Sequence, residues 1–217
     1  MKKPNLHSPH KSPYETIVIV LALLAFIVLA VSVKSQPIFF DSAFLHWIHL
    51  HATHFYDSVF LFFTTLGSAA VLGPVTVLAV ILLWVRKRRY DAVFLLCCVA
   101  GASVANVILK TLFHRVRPSL WHPSVLETSY SFPSGHAMSS SAVALAVVII
   151  LWDTRWRWPA IIFGSLFVLA VGYSRLYLGV HYPSDVMGGW CASTVLVLGI
   201  AKLLHHFKTK RPLKDIL

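Results

Sequence analysis

The 217-residue chain is 57% hydrophobic and only 12% charged, with a mean hydropathy of +0.73. That balance excludes an ordinary soluble domain, where about 45–50% apolar and about 25% charged residues are usual. The formal net charge of +11 comes from basic residues scattered between apolar runs, which favours lipid headgroups and the bilayer as partners and argues against nucleic acid. The composition is that of an all-α, polytopic integral membrane protein with a single domain, 1–217.

Lys2, Lys3 and Lys11 precede an uninterrupted apolar run, Thr16 to Val33, with no small-residue cleavage site after it. It reads as a retained first span rather than a signal peptide. The next segment, Pro37 to about Thr65, mixes Phe39, Phe40, Phe44, Trp47 and Ile48 with His46, His49, His51, His54, Asp41 and Asp57. This pattern predicts amphipathic helix lying in the membrane interface, its "SVFLFFTTLG" end reaching the bilayer. The histidine offsets of three, two and three do not gather all four on one helical face, so an interfacial helix is favoured over a metal cluster. Further apolar runs at 67–85, 91–112, 137–152, 158–178 and 184–207 bring the expected number of transmembrane helices to six, each near the length that crosses about 30 Å of hydrocarbon. The run 137–152 is the shortest. Cys97, Cys98 and Cys191 all fall inside apolar runs without metal-site spacing and read as packing residues.

Orientation follows from the basic residues. The N-terminal lysines, "RKRRY" (86–90), "DTRWRW" (153–158) and "KTKRPLK" (208–214) fall on one side of the six spans and hold thirteen Lys and Arg; the opposite side holds five, Lys34, Lys110, Arg115, Arg117 and Arg175. The positive-inside rule therefore places both termini in the cytoplasm and the segments 113–136 and 176–183 outside a multi-pass plasma-membrane protein.

Three polar clusters lie at those external helix ends. Lys110 closes the third span and "HRVRP" follows it; "PSGH" (Pro133 to His136) opens the fourth; "SRLYLGVHYPSD" (Ser174 to Asp185) joins the fifth to the sixth. A charge near the bilayer centre costs roughly 2.5–3.5 kcal/mol, and less at a helix end. Any one of these cations alone fits headgroup anchoring. Grouped, Lys110, Arg117 and Arg175 outnumber the nearby carboxylates Asp185 and Glu127, which points to an anionic ligand, and phosphate suits arginine forks and a lysine point charge best. The backbone N–H groups of Ser134, Gly135 and His136, at a helix start, would add an anion site with room for close approach at Gly135. "PSGH" by itself is no more than a Pro/Ser helix start; its histidine is what that reading leaves over.

On these residues the chain resembles the type 2 phosphatidic acid phosphatase superfamily of integral-membrane lipid phosphatases. That family carries K-x6-RP, PSGH and SR-x5-H-x3-D, and "KTLFHRVRP" (110–118), "PSGH" and "SRLYLGVHYPSD" match all three, in the family's order. The resemblance implies that His181 is the nucleophile, forming a phosphohistidine, and that Asp185 fixes its tautomer. It implies that His136 protonates the leaving oxygen and later activates water. Lys110, Arg117, Ser134, Gly135 and Arg175 would hold the phosphoryl oxygens, with no metal and no other cofactor required. In a bacterial setting the family's usual substrates are phosphatidylglycerophosphate, phosphatidate, diacylglycerol pyrophosphate and undecaprenyl pyrophosphate. The motifs bind only the phosphoryl group and do not choose among them.

Two other functions fit parts of the pattern: a phosphotransferase passing the phosphoryl group to another lipid, and a lipid or anion transporter, for which Gly73-Pro74 is the main helix break. Around the motifs, His114 and Arg115 read either as headgroup contacts or as solvated linker. Asn106 reads as packing, or as an orienter of Lys110. Ser139, Ser140 and Ser141 with Ala137, and Gly101, Ala102, Ser103 and Ala105, read as close-packing stripes. Trp121 and His122 read as a lid or as belt aromatics.

Overall fold

In hydrocarbon every backbone N–H and C=O must be satisfied within the protein, and apolar runs of this length do so as helices. The computed structural model describes residues 13–35, 38–121 and 127–210, and every regular element among them is an α-helix: α1 (Pro13–Ser35), α2 (Phe39–Leu50), α3 (His54–Leu66), α4 (Ala69–Val85), α5 (Arg89–Phe113), α6 (Gly135–Leu151), α7 (Arg157–Tyr177) and α8 (Pro183–Lys210). Lys2, Lys3, Lys11, Pro37, His122 and the tail from Arg211 lie outside the described residues.

The six expected runs do not form six equivalent helices. Helices α1, α5, α7 and α8 are long and apolar enough to cross a membrane, and α3 with α4 forms a pair bent by 45° that makes a fifth if counted as one span. Helix α6 is apolar but has 17 residues, about 26 Å at the rise of an α-helix, short of about 30 Å of hydrocarbon. The segment expected to hold amphipathic helices forms two of them, α2 and α3, and the second leads directly to α4. The bend falls at Gly67, where a Cβ would lie 2.4 Å from Val171 Cγ1 on α7. Only a residue without a side chain lets the broken pair lie this close to α7.

Helix α6 is the centre of the bundle, packed on α5, α7 and α8; α1 lies along α8, α4 along α5 and α3 along α7. Met138, Ala142, Ala146 and Ile150, spaced every four residues on one face of α6, meet Phe94, Leu95, Cys98 and Ala102 of α5 and Val197 of α8. The small residues in this row let backbones approach, as membrane helix packing requires. Ser193 Oγ of α8 donates to the Met138 carbonyl at 2.6 Å, and Asn106 Nδ2 of α5 donates to the Pro133 carbonyl at 3.1 Å. Asn106 is thus a packing residue at the start of α6 and has no bond to Lys110 among those described. Large apolar side chains such as Leu21, Val28, Val107, Phe163 and Leu203 stay exposed along the outer helices, the surface a lipid-facing bundle presents. All three cysteines are free.

A second core joins α2 to the α7–α8 connection, with Leu45 and Ile48 against Leu176, Tyr177, Leu178, Val180 and Val186. Because α5 ends, α6 begins, α7 ends and α8 begins on the same side, Lys110, His136, Arg175 and Asp185 all arrive at one end of the bundle. The basic turns at 86–88 and 153–156 lie at the other.

Candidate active site

His181 sits in the short α7–α8 connection and is 1% exposed. Its Nδ1 lies 3.3 Å from Asp185 Oδ2, four residues on in the first turn of α8. Its Nε2 lies 3.2 Å from Arg117 Nη1. A guanidinium has only donors, so Nε2 must be the bare nitrogen, and the ring proton sits on Nδ1, donated to the Asp185 carboxylate. Burial pushes the His181 imidazole down to about 4, with the Asp185 hydrogen bond opposing the shift. The ring is therefore neutral near pH 7, with the lone pair of Nε2 facing Arg117.

Asp185 is itself fully enclosed. Oδ2 accepts the Ser131 hydroxyl and the Tyr182 N–H at 2.8 Å, while Oδ1 accepts Arg115 Nη1 at 2.5 Å. Arg115 also donates from Nη2 to Asp41 Oδ2 at 2.8 Å, and its guanidinium lies 4.1 Å above the Tyr182 ring. The two carboxylates outweigh the cost of burial and raise the Arg115 pKa. Neither reading of Arg115 from sequence survives: it is neither solvated linker nor headgroup contact, because the chain turns at His114 (φ 49°) and swings Arg115 inward between two acids.

The cations form the other side. Arg117 donates to the Ser129 carbonyl and the Val180 carbonyl, each at 2.7 Å, and burial lowers its pKa. Lys110 Nζ donates to Ser129 Oγ at 2.8 Å. Arg175, 1% exposed, donates from Nη1 to Thr64 Oγ1 of α3 and from Nη2 to Glu127 Oε1. Glu127 Oε2 in turn lies 3.4 Å from Arg117 Nη2. Burial alone would raise the Glu127 carboxyl, but Arg175 and then Arg117 outweigh it and hold it below the usual carboxylate range. A carboxylate thus bridges two of the arginines expected to hold phosphate. His136, in the first turn of α6, is within electrostatic reach of Arg175, Glu127, His181 and Lys110.

Two buried polar atoms here, Ser134 Oγ and Arg175 Nε, have no partner among the described residues. Buried unsatisfied groups are uncommon, and a hydroxyl with a donor-only N–H beside two further cations suits an oxyanion. The Ser134 backbone N–H, by contrast, donates to the Asp185 carbonyl at 3.0 Å and is not free for an anion as the sequence suggested. Gly135 is small for another reason as well: a Cβ would lie 3.1 Å from Asn106 Oδ1.

The loop between α5 and α6 closes over this end through Trp121. The indole stacks on His49 of α2, centroids 4.2 Å apart, and covers Gly179, whose φ of +69° and lack of a Cβ leave room for it. Trp121 therefore packs as a roof. His51 Nδ1 bonds the Trp47 carbonyl at 2.7 Å and His54 begins a separate helix; among the described residues no group of three or more His, Cys, Asp or Glu is placed to hold a metal. Asp41, Thr64, Ser129 and Ser131 lie outside the motifs, and Ser184 occupies an unspecified position within one. The one sequence signal for Asp41 is its spacing, four and seven residues before Leu45 and Ile48, which puts an acid on the buried face of an amphipathic helix.

A buried imidazole bonded to a carboxylate and beside a cluster of cations, at one end of a helical membrane bundle, is an arrangement suited to a membrane phosphatase. The chain belongs to the PAP2 superfamily, which matches residues 91–209. It is 31% identical over 205 residues to an undecaprenyl-diphosphatase of Sulfolobus acidocaldarius, covering 90% of this chain and 94% of that protein. It is 30% identical over 155 residues to phosphatidylglycerophosphatase B of Bacillus subtilis, covering 68% and 76%. Its fold is similar to the crystal structure of a transmembrane PAP2 type phosphatidylglycerolphosphate phosphatase from Bacillus subtilis, with TM-score 0.81, 27% identity, and coverage of 89% of this chain and 98% of that one.

Proposed function

We propose that this protein is a lipid phosphatase that hydrolyses a phosphomonoester or diphosphate of a membrane lipid through a phosphohistidine, at the extracytoplasmic face. The observation that carries the reading is the placement of His181, with Nε2 3.2 Å from Arg117 Nη1 and Nδ1 3.3 Å from Asp185 Oδ2. His181 Nε2 attacks phosphorus, a P–N bond forms, and the bond from phosphorus to the lipid oxygen breaks. His136 gives that oxygen its proton. A water then gives its proton to His136, attacks phosphorus, and cleaves the P–N bond to release phosphate. Asp185 stabilises the imidazolium formed in between. Lys110, Arg117, Arg175 and Ser134 neutralise the equatorial oxygens, with substrate phosphate taking the place of Glu127 between the arginines.

An apolar groove of about 340 Å³ between α1, α5, α6 and α8, lined by Leu23, Phe26, Leu109, Met138 and Val195 among others, supports a lipid rather than a soluble phosphate ester. The outward direction of the site rests on the basic turns at the opposite end of the bundle. Relatives named for phosphatidylglycerophosphate and for undecaprenyl diphosphate make these two substrates the first to try. Phosphate release by the purified protein, in detergent with a chelator and across a panel of lipid phosphates and diphosphates, tests the reading. His181→Ala is expected to fall to background and to form no acid-labile phosphoenzyme. Full activity in a folded His181→Ala protein would overturn the nucleophile assignment.

A further inference from the structure

Asp41 lies in the first turn of α2, outside every motif, and is 1% exposed. Its Oδ1 accepts the Ser184 N–H at 2.9 Å, and its Oδ2 accepts the Ser184 hydroxyl at 2.5 Å and Arg115 Nη2 at 2.8 Å. Arg115 uses its other terminal nitrogen, Nη1, for Asp185 Oδ1 and for Ser184 Oγ at 2.7 Å. One guanidinium is thus divided between two carboxylates, one on the peripheral helix α2 and one against the imidazole of His181.

That division has a geometric consequence. Left with a single carboxylate, a guanidinium prefers the two-pronged pairing in which both oxygens are taken. Asp41 prevents this by holding Nη2, so that Arg115 reaches only Oδ1 of Asp185. The second oxygen, Oδ2, stays free to accept from His181 Nδ1, Ser131 and the Tyr182 N–H. Asp41 also fixes the first turn of α8 through Ser184, the residue before Asp185. We propose that Asp41 is a positioning residue for the nucleophile: through Arg115 and Asp185 it reserves one carboxylate oxygen for His181 and so sets the rotation of the imidazole. Turnover then depends on α2 being seated on the α7–α8 connection. This inference rests on His181 being the nucleophile.

The test uses the full-length protein in detergent, with phosphate release measured from phosphatidate or a polyprenyl diphosphate, whichever the wild type turns over faster. Asp41→Asn is expected to lower kcat by about 10–100-fold, the range seen when an outer orienting partner is removed. KM and the inhibition constant for inorganic phosphate should stay within about threefold, since Lys110, Arg117 and Arg175 are untouched. The double variant Asp41→Asn/Asp185→Asn should be no slower than Asp185→Asn alone, because both Asp41 contacts, with Arg115 and with Ser184, reach the imidazole by placing Asp185. Arg115→Lys, which keeps the charge but not the fork, should show the same loss confined to kcat and the same coupling, and it carries the test if Asp41→Asn does not fold. Wild-type kcat in both variants, a loss carried by KM, or losses that multiply in the double variant would each overturn the proposal. With His181→Ala as the parallel control, its inactivity alongside a fully active Asp41→Asn would remove only this inference, whereas an active His181→Ala would remove the reading beneath it.

Discussion

The polar end of the bundle divides into two halves that are built in opposite ways. Around His181, Asp185, Arg115 and Asp41 every described charge has its partner, and the oxygens of both carboxylates are all engaged. Around Lys110, Arg117 and Arg175 the cations exceed the single described carboxylate, Glu127, and two buried polar atoms have no partner among the described residues. A closed network in a low-dielectric interior is rigid and expensive to disturb, while an under-satisfied one gains most from a new anion. The first half suits holding a nucleophile still. The second suits receiving a phosphoryl group and stabilising the charge that grows on it.

Substitutions on each side can separate the halves. The largest expected effect lies in the closed half: Asp185→Asn should lower kcat by about 10⁴-fold, as loss of an orienting carboxylate does in a triad, with KM nearly unchanged in steady-state assays. On the open side, Arg175→Lys should cost about 10²–10³-fold in kcat/KM, the scale of a lost oxyanion donor. Ser134→Ala should fall at the lower end of that range and should also weaken inhibition by inorganic phosphate. The pH profile of kcat/KM reports the closed half again. His181 is held at about 4, below an ordinary imidazole, so it stays neutral and nucleophilic through pH 5–6. Activity assigned to His181 should fall only as pH drops through about 4, tenfold per unit below it; an acid limb at 6–7 from this residue would contradict the buried geometry. The smallest effect is expected from Ser131→Ala, a few-fold loss in kcat, because the Tyr182 N–H and Arg115 still hold Asp185.

What could be read from sequence followed the same division. Lys110, Arg117, Ser134, His136, Arg175, His181 and Asp185 sit in short motifs that the fold brings to one end of the bundle, and the apolar runs located α1 and α4 to α8 to within a few residues. The supporting residues were not legible, because their partners are far away along the chain: Asp41 meets Ser184 across 143 positions and Thr64 meets Arg175 across 111. No periodicity or local composition encodes such pairs. Arg115 was misread for the same reason. Two residues from Arg117 in sequence, it bonds Asp41 and Asp185 while Arg117 bonds Ser129 and Val180, and nothing in the local pattern distinguishes the two arginines. Six apolar runs do not give six membrane-length helices among the described residues, because α4 joins α3 through a bend at Gly67 and α6 is short, as its run already indicated.

The contact between Arg175 and Thr64 bears on modularity. The family match begins at residue 91, which invites treating the first 90 residues as an attachment that relatives can exchange or lose. Yet α2 and α3 deliver Asp41 and Thr64 into the reactive end, where each holds a buried guanidinium. A chimera that joins the C-terminal helices of one relative to the N-terminal helices of another must therefore match these two polar partners as well as the apolar faces. The heritable unit of this enzyme is set by its buried arginines, and it extends well upstream of its motifs.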